Sequence, residues 1–123
     1  MPASHNLEGV LKELKGTRKV KAVYLFGSHA KGNEKPMSDV DLAVLIHKPT
    51  KKTESDIACL SSNLLDVVNF HRLPTYIKFE VLKYGRPLFI RDGKYLSEQK
   101  TSVIREYLEM SYLYKRMSRR VLT

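Results

Sequence analysis

A single cysteine, Cys59, among 123 residues has no partner within the chain for a disulfide, and it fits a reducing compartment; a cytoplasmic location is expected. Long apolar runs are equally scarce. The longest, Ala22–Phe26 and Leu42–Ile46, are strand-sized and far below the roughly 20 residues of a membrane-spanning helix. Met1–Asn6 does not follow the charged-then-apolar order of a signal peptide, so neither export nor a membrane partner is expected. His5, His47 and His71 are not spaced as metal ligands, and no cysteine cluster accompanies them, which argues against a zinc site. There is no internal repeat and no low-complexity tract. Acidic residues are the minority charge, 13 Asp and Glu against 22 Lys and Arg, for a net charge of +9. Such an excess favours polyanionic partners, nucleoside triphosphates among them, although it also serves solubility. Direct nucleic-acid binding would rest on charge alone, with no interleaved aromatic platform, and is not expected.

What is present points to one folded domain spanning 1–123, with 42% hydrophobic and 28% charged residues. Leu7, Val10, Leu11 and Leu14 have the spacing of an amphipathic helix, and Gly16 suits its end. Val20–Phe26 reads as a strand buried on both faces. Gly27-Ser28 breaks it, a short helical turn is expected through Ala30 and Lys31, and Gly32–Met37 is loop. Ser38–Ile46 is the second strand. Ile57, Leu60 and Leu64 predict a helical stripe with Thr53 or Ser55 as N-cap, and Cys59 on its apolar face as a small core residue. Leu65–Phe70 is the third strand. Pro74 suits the first turn of a helix carrying Ile77, Val81 and Tyr84, with Gly85 as its cap. Leu88–Ile90 is a short strand ended by an Asp92-Gly93 turn.

The last helix is expected over about 97–121. Val103, Tyr107, Met110, Tyr114, Met117 and Val121 alternate spacings of four and three, and Ile104 and Leu108 widen the stripe. That face either covers the sheet or docks another protein, a homomeric or heteromeric contact. The predicted architecture is α/β (α+β): a small mixed sheet of about four strands flanked by helices, with a core over about 20–90.

The chemistry concentrates at two places. Gly27-Ser28 makes a tight bend at a strand end, where a residue without Cβ lets phosphate oxygens reach backbone N–H donors. Asp39 and Asp41 then share one face of the next strand, because side chains at i and i+2 point the same way. Two carboxylates side by side repel unless a cation lies between them. Each aspartate alone could be a turn or cap residue, but strand interiors are depleted in Asp. Asp66, heading the apolar run Val67-Val68, is the candidate third carboxylate and proton acceptor, since a lone carboxylate there needs a metal or donors. Nucleotidyl transfer requires this set: acidic residues for two magnesium ions and a bend for the triphosphate.

Leu25-Phe26-Gly27-Ser28-His29-Ala30-Lys31-Gly32 with Ser38-Asp39-Val40-Asp41-Leu42-Ala43-Val44 resembles the signature of the polymerase-β-type nucleotidyltransferases. Within that superfamily the chain is most similar to the minimal nucleotidyltransferase (MNT) proteins, over about 20–90. The resemblance implies a polymerase-β-like fold and a site in which Gly27 and Ser28 hold the nucleotide. Asp39, Asp41 and Asp66 would bind Mg²⁺ and carry catalysis, with ATP as substrate. It further implies an antitoxin that transfers AMP to a hydroxyl, a tyrosine's, on a HEPN ribonuclease toxin. No arginine is followed at the spacing of the toxin's own Arg-x4-6-His motif, so the chain reads as the transferase half of the pair. Where arginine often follows the Gly-Ser pair, this chain has His29, with Lys31 two residues on. A non-catalytic antitoxin that neutralises its partner by complex formation, or an enzyme acting on a small molecule such as an aminoglycoside, are the alternatives.

Overall fold

The computed structural model describes residues 7–27, 40–62 and 65–122, without the side chains of 114 and 117–122. The elements follow the hydrophobic pattern: α1 (Leu7–Lys15), β1 (Val20–Phe26), β2 (Val40–Ile46), α2 (Lys51–Ala58), β3 (Leu65–Asn69), α3 (Thr75–Tyr84), β4 (Arg86–Ile90) and α4 (Gly93–Leu122). The strands form one sheet in the order β3-β2-β1-β4. β1 lies antiparallel to both β2 and β4, whereas β2 and β3 run parallel, so the sheet is mixed as expected.

Alternate residues of the two central strands feed two cores. Val23, Leu25, Leu42, Val44 and Ile46 pack with Val10 and Leu14 of α1 and Ile57 of α2. Ala22, Tyr24, Ala43 and Leu45 face the other way and pack with Phe70, Val81 of α3, and Leu96 and Val103 of α4. Burial on both sides explains why β1 and β2 read as continuous apolar runs rather than alternating ones.

Several boundaries differ from the sequence reading, each for a local reason. The N-cap of α2 is Thr50, whose hydroxyl accepts from the Thr53 amide at 3.1 Å; Thr53 and Ser55 lie inside the helix. The helix ends at Ala58, so Ile57 is its one buried residue, and Leu60 packs on the core from the turn that follows. Cys59, the C-cap, is consequently exposed rather than a core residue. Leu64 and the helical turn expected at Ala30 and Lys31 lie outside the described residues. β3 stops at Asn69, whose side chain caps a 3₁₀ turn over Phe70–Arg72. β4 begins at Arg86, not Leu88. Pro87 is accommodated because β4 is an edge strand and its register slips between Val23 and Tyr24.

α4 starts at Gly93, four residues earlier than expected, because Asp92 is its cap: one carboxylate oxygen accepts from the Tyr95 amide at 3.0 Å. Its first half is held on α3. The Phe79 and Tyr107 rings stack at 4.0 Å and 10°, and the Thr75 hydroxyl hydrogen-bonds Glu106. At 1.5 Å per residue the 30-residue helix is about 45 Å long, about twice the reach of a seven-residue strand. The expected stripe therefore covers the sheet only as far as Val103 and Tyr107. Beyond them Leu108, Met110, Tyr112 and Leu113 stand in solvent, Leu108 and Tyr112 at 61% and 62% exposure.

Candidate active site

The end of β1 fixes the first part of the site. Gly27 has φ +84, a left-handed conformation that side chains rarely adopt, and a Cβ built on it would lie 2.7 Å from Oδ2 of Asp41. Glycine here thus satisfies two demands at once. It turns the chain at the strand end, and it lets the Asp41 carboxylate lie directly against the backbone of the bend.

The second part comes from strand register. Asp41 pairs with Phe26 of β1 on one side and with Asp66 of β3 on the other. Phe26, Asp41 and Asp66 therefore form one row across three strands. Residues two along on each strand, Tyr24, Ala43 and Val68, belong to or pack on the core under α3 and α4, so the row shares that face. Core packing fills the face up to Tyr24 and Ala43, and the row lies at its open end: Asp66 is exposed, Asp41 and Phe26 half-buried. Adjacent strands lie about 4.8 Å apart, which brings two like charges into the range where a divalent cation between them is stabilising. The donor set, two carboxylates with all-oxygen chemistry, suits a hard ion such as Mg²⁺ rather than zinc. Among the described residues no group of three or more His, Cys, Asp or Glu side chains comes together as a metal cage. Asp39 and Ser28, the remaining expected ligands, lie outside the described residues, as does His29.

A cleft of about 170 Å³ opens beside the bend, lined by Phe26 and Gly27 of the β1 end and by Ile77, Glu80, Val81, Tyr84 and Gly85 along α3. Gly85 allows the close approach of α3 to β1 that shapes it. Its amide donates to the Val81 carbonyl at 2.8 Å, and a Cβ there would meet that oxygen at 2.2 Å and the Leu25 carbonyl at 3.1 Å. Sequence reasoning had Ile77, Val81 and Tyr84 as one apolar stripe and missed Glu80. The i, i+4 relation of Glu80 to Tyr84 across a helix ending in glycine was the available signal.

Two of the histidines that the sequence left unassigned, His47 and His71, gather at the far end of β2. The Tyr95 hydroxyl donates to the Ile46 carbonyl at 3.3 Å and lies 3.1 Å from His71 Nε2, while the His47 ring meets Tyr95 edge-on at 5.2 Å. Burial pushes the Tyr95 hydroxyl pKa up. Burial, then the Lys78 ammonium, holds the His71 imidazole below its usual range, the Ile46 carbonyl opposing and His47 adding to the depression. This cluster joins elements away from the carboxylate row.

Comparison with known proteins agrees with this geometry. The family model described as "Polymerase beta, Nucleotidyltransferase" matches residues 8–94, from α1 to the start of α4. A candidate protein adenylyltransferase of Methanocaldococcus jannaschii is 32% identical over 71 residues, 58% of this chain and 57% of that protein. The chain thus spans little more than half the length of the curated relative it matches. Among solved structures, one chain of a toxin–antitoxin complex with AMP-PNP superposes with a TM-score of 0.72 at 21% identity, covering 96% of this chain and 100% of the other. A chain from the complex of a tri-AMPylated Shewanella oneidensis HEPN toxin with its MNT antitoxin gives 0.67 at 20% identity, covering 94% and 96%. At such identities these likenesses establish the fold. With the family match extending over residues 8–94, most of its length, the chain belongs to the polymerase beta nucleotidyltransferase family.

Proposed function

We propose that the chain transfers AMP from ATP to a hydroxyl group, a tyrosine's, on a HEPN-type toxin, and so acts as the antitoxin of a toxin–antitoxin pair in the cytoplasm. The observation that carries the chemistry is the register pairing of Asp41 with Asp66, with the Asp41 carboxylate seated against the Cβ-less Gly27. In the transfer, the acceptor oxygen forms a bond to the α-phosphorus and the bond from that phosphorus to the pyrophosphate oxygen breaks. Asp66, exposed at the row's outer end, takes the acceptor's proton; the pyrophosphate leaves on the Gly27-Ser28 side. Asp39, Asp41 and Asp66 would hold Mg²⁺, which when bound supplies positive charge to the triphosphate and the entering oxygen. The excess of basic residues, net +9, draws a triphosphate toward the chain.

The protein acceptor is supported by the relatives. The Methanocaldococcus jannaschii protein is described as a candidate protein adenylyltransferase, and the Shewanella oneidensis complex holds a toxin carrying AMP. The exposed apolar residues of α4 beyond Tyr107 favour a chain that works in a complex, which a non-catalytic antitoxin would also do. The test separates the two. Incubation with labelled ATP, Mg²⁺ and the partner toxin should label the toxin, and Asp41→Asn should lower that labelling by at least about a hundredfold while the chain still folds, because the metal loses a charged ligand. Equal labelling by wild type and Asp41→Asn contradicts the assignment, and neutralisation without labelling leaves the complex-forming reading in its place.

A further inference from the structure

Residues 12–21, 47–52 and 91–94 hold ten of the 22 Lys and Arg but only two of the 13 acidic residues, Glu13 and Asp92. Strung along the sequence this charge singles out no partner; folding gathers it on one surface. The three stretches are the α1–β1, β2–α2 and β4–α4 connections with their flanks, all at the end of the sheet opposite Gly27 and the carboxylate row. Hydrogen bonds tie them to one another. The His47 amide donates to the Lys19 carbonyl at 2.8 Å, the Lys19 ammonium to the Lys48 carbonyl at 3.1 Å, and the Arg91 amide to the Lys21 carbonyl at 2.8 Å. The Arg91 guanidinium also reaches the carbonyls of Lys15 and Val20. Lys48 takes φ +47, a left-handed conformation uncommon in a residue with a side chain. α2 and α4 begin at this end and add the positive ends of two helix dipoles. Holding like charges together opposes folding, and dispersed charges serve solubility equally well.

We propose that this end of the molecule binds duplex nucleic acid through its phosphate backbone, without reading sequence, a role separate from nucleotidyl transfer. Ile46 is five residues from Asp41 along β2, about 17 Å, well beyond the roughly 8 Å screening length of physiological salt. A triphosphate at Gly27 therefore does not engage these cations. The hollow among them, lined by Lys21, His47, Lys94 and Tyr95, also holds Asp92 and Glu98, so a small anion finds no purely positive pocket there. An extended polyanion touches the cations one by one instead. Helices on both faces of the sheet make this end more than about 20 Å thick, and 20 Å of duplex carries about twelve phosphates. None of the exposed large apolar side chains falls within the three stretches. The core of a protein–protein contact needs such side chains, whereas nucleic-acid interfaces are polar and strongly basic. A duplex is favoured over a single strand because it displays its phosphates outward and requires no aromatic platform for stacking bases.

Fluorescence anisotropy of the full chain with labelled duplex RNA, duplex DNA and polyglutamate, each of matched charge, tests this. The expected Kd for a duplex is about 1–100 µM at about 0.15 M salt, the range of backbone-only binding. From about 50 to 200 mM salt it should weaken about two hundredfold, a log–log slope near −4 for roughly four to five phosphates. Lys51→Glu with Lys52→Glu places acids in the exposed first turn of α2, where the helix dipole favours them, so the variant should fold. It should weaken duplex binding at least about tenfold and reduce the slope by about two. Lys115→Glu with Arg116→Glu makes the same charge change about 30 Å away along α4 and should alter binding less than about twofold. Equal affinity for RNA and DNA supports the backbone contact, and a preference for one supports it and names the source. No binding at low salt overturns the proposal, as does equal weakening by the two double variants, which would make net charge the cause. Polyglutamate bound as tightly as a duplex overturns it in favour of an acidic protein. Displacement of the duplex by saturating Mg·ATP overturns it in favour of the transferase site, whose own function is judged separately by labelling of the toxin.

Discussion

A single methyl group at position 27 would collide with the Asp41 carboxylate, on which the proposed chemistry rests. Its Cβ would lie 2.7 Å from Asp41 Oδ2 and would also have to tolerate φ +84. The left-handed conformation alone costs a non-glycine residue about 1–2 kcal/mol, and the collision adds to it. Gly27→Ala should therefore lower the unfolding free energy by at least that amount in a urea titration. It should reduce nucleotide transfer far more, because Asp41 must swing away from the bend. Transfer retained at wild-type level in Gly27→Ala would mean that the close approach has no catalytic part. The sequence made this residue legible through its place after an apolar run. The carboxylate it accommodates was not legible, because that contact depends on how β1 and β2 are paired. The same holds for Asp41 and Asp66, 25 positions apart, which become neighbours only through the parallel register of β2 and β3.

Among the elements, the junction of β2, the 3₁₀ turn and the start of α4 carries the clearest pH dependence. His71 lies there, next to Tyr95 and the Ile46 carbonyl, with Lys78 and His47 nearby. Its folded pKa is lowered, so the unfolded chain takes up the proton first as pH falls below the ordinary 6.5. Above that value both states are neutral there and His71 contributes no slope. Between it and the depressed folded value, stability falls with falling pH. The urea midpoint of wild type should drop through this window, and the drop should be smaller in His71→Gln; parallel curves for the two would contradict the account. Element positions were readable where periodicity was strong, as in α1, β1 and β2. The boundaries missed, at Thr50, Arg86 and Gly93, were decided by a cap or a bulge, local hydrogen bonding that hydrophobic spacing does not report.

At the scale of the whole molecule, α4 outruns the sheet and carries Ile104, Leu108, Met110, Tyr112 and Leu113 into solvent alongside Arg105, Lys115 and Arg116. The heptad spacing was visible in the sequence. Whether it covered the sheet or projected from it depended on the relative lengths of helix and strands, which only the assembled fold sets. If the projecting half contacts the toxin, Leu108→Glu should weaken the complex at least about tenfold in a binding titration while leaving the thermal midpoint of the isolated chain within about 2 °C, since an exposed change moves stability by no more than about 0.5 kcal/mol. An unchanged affinity would place the contact elsewhere.

The proposed site has Asp41 and Asp66 jointly holding a divalent ion beside a nucleotide gripped at Gly27. Crystals grown with Mg²⁺ and a non-hydrolysable ATP analogue test it directly. The account predicts an ion about 2.0–2.1 Å from oxygens of both carboxylates, with the triphosphate against the Gly27 bend. An ordered nucleotide lying elsewhere, or an ion held without either Asp41 or Asp66, would contradict it.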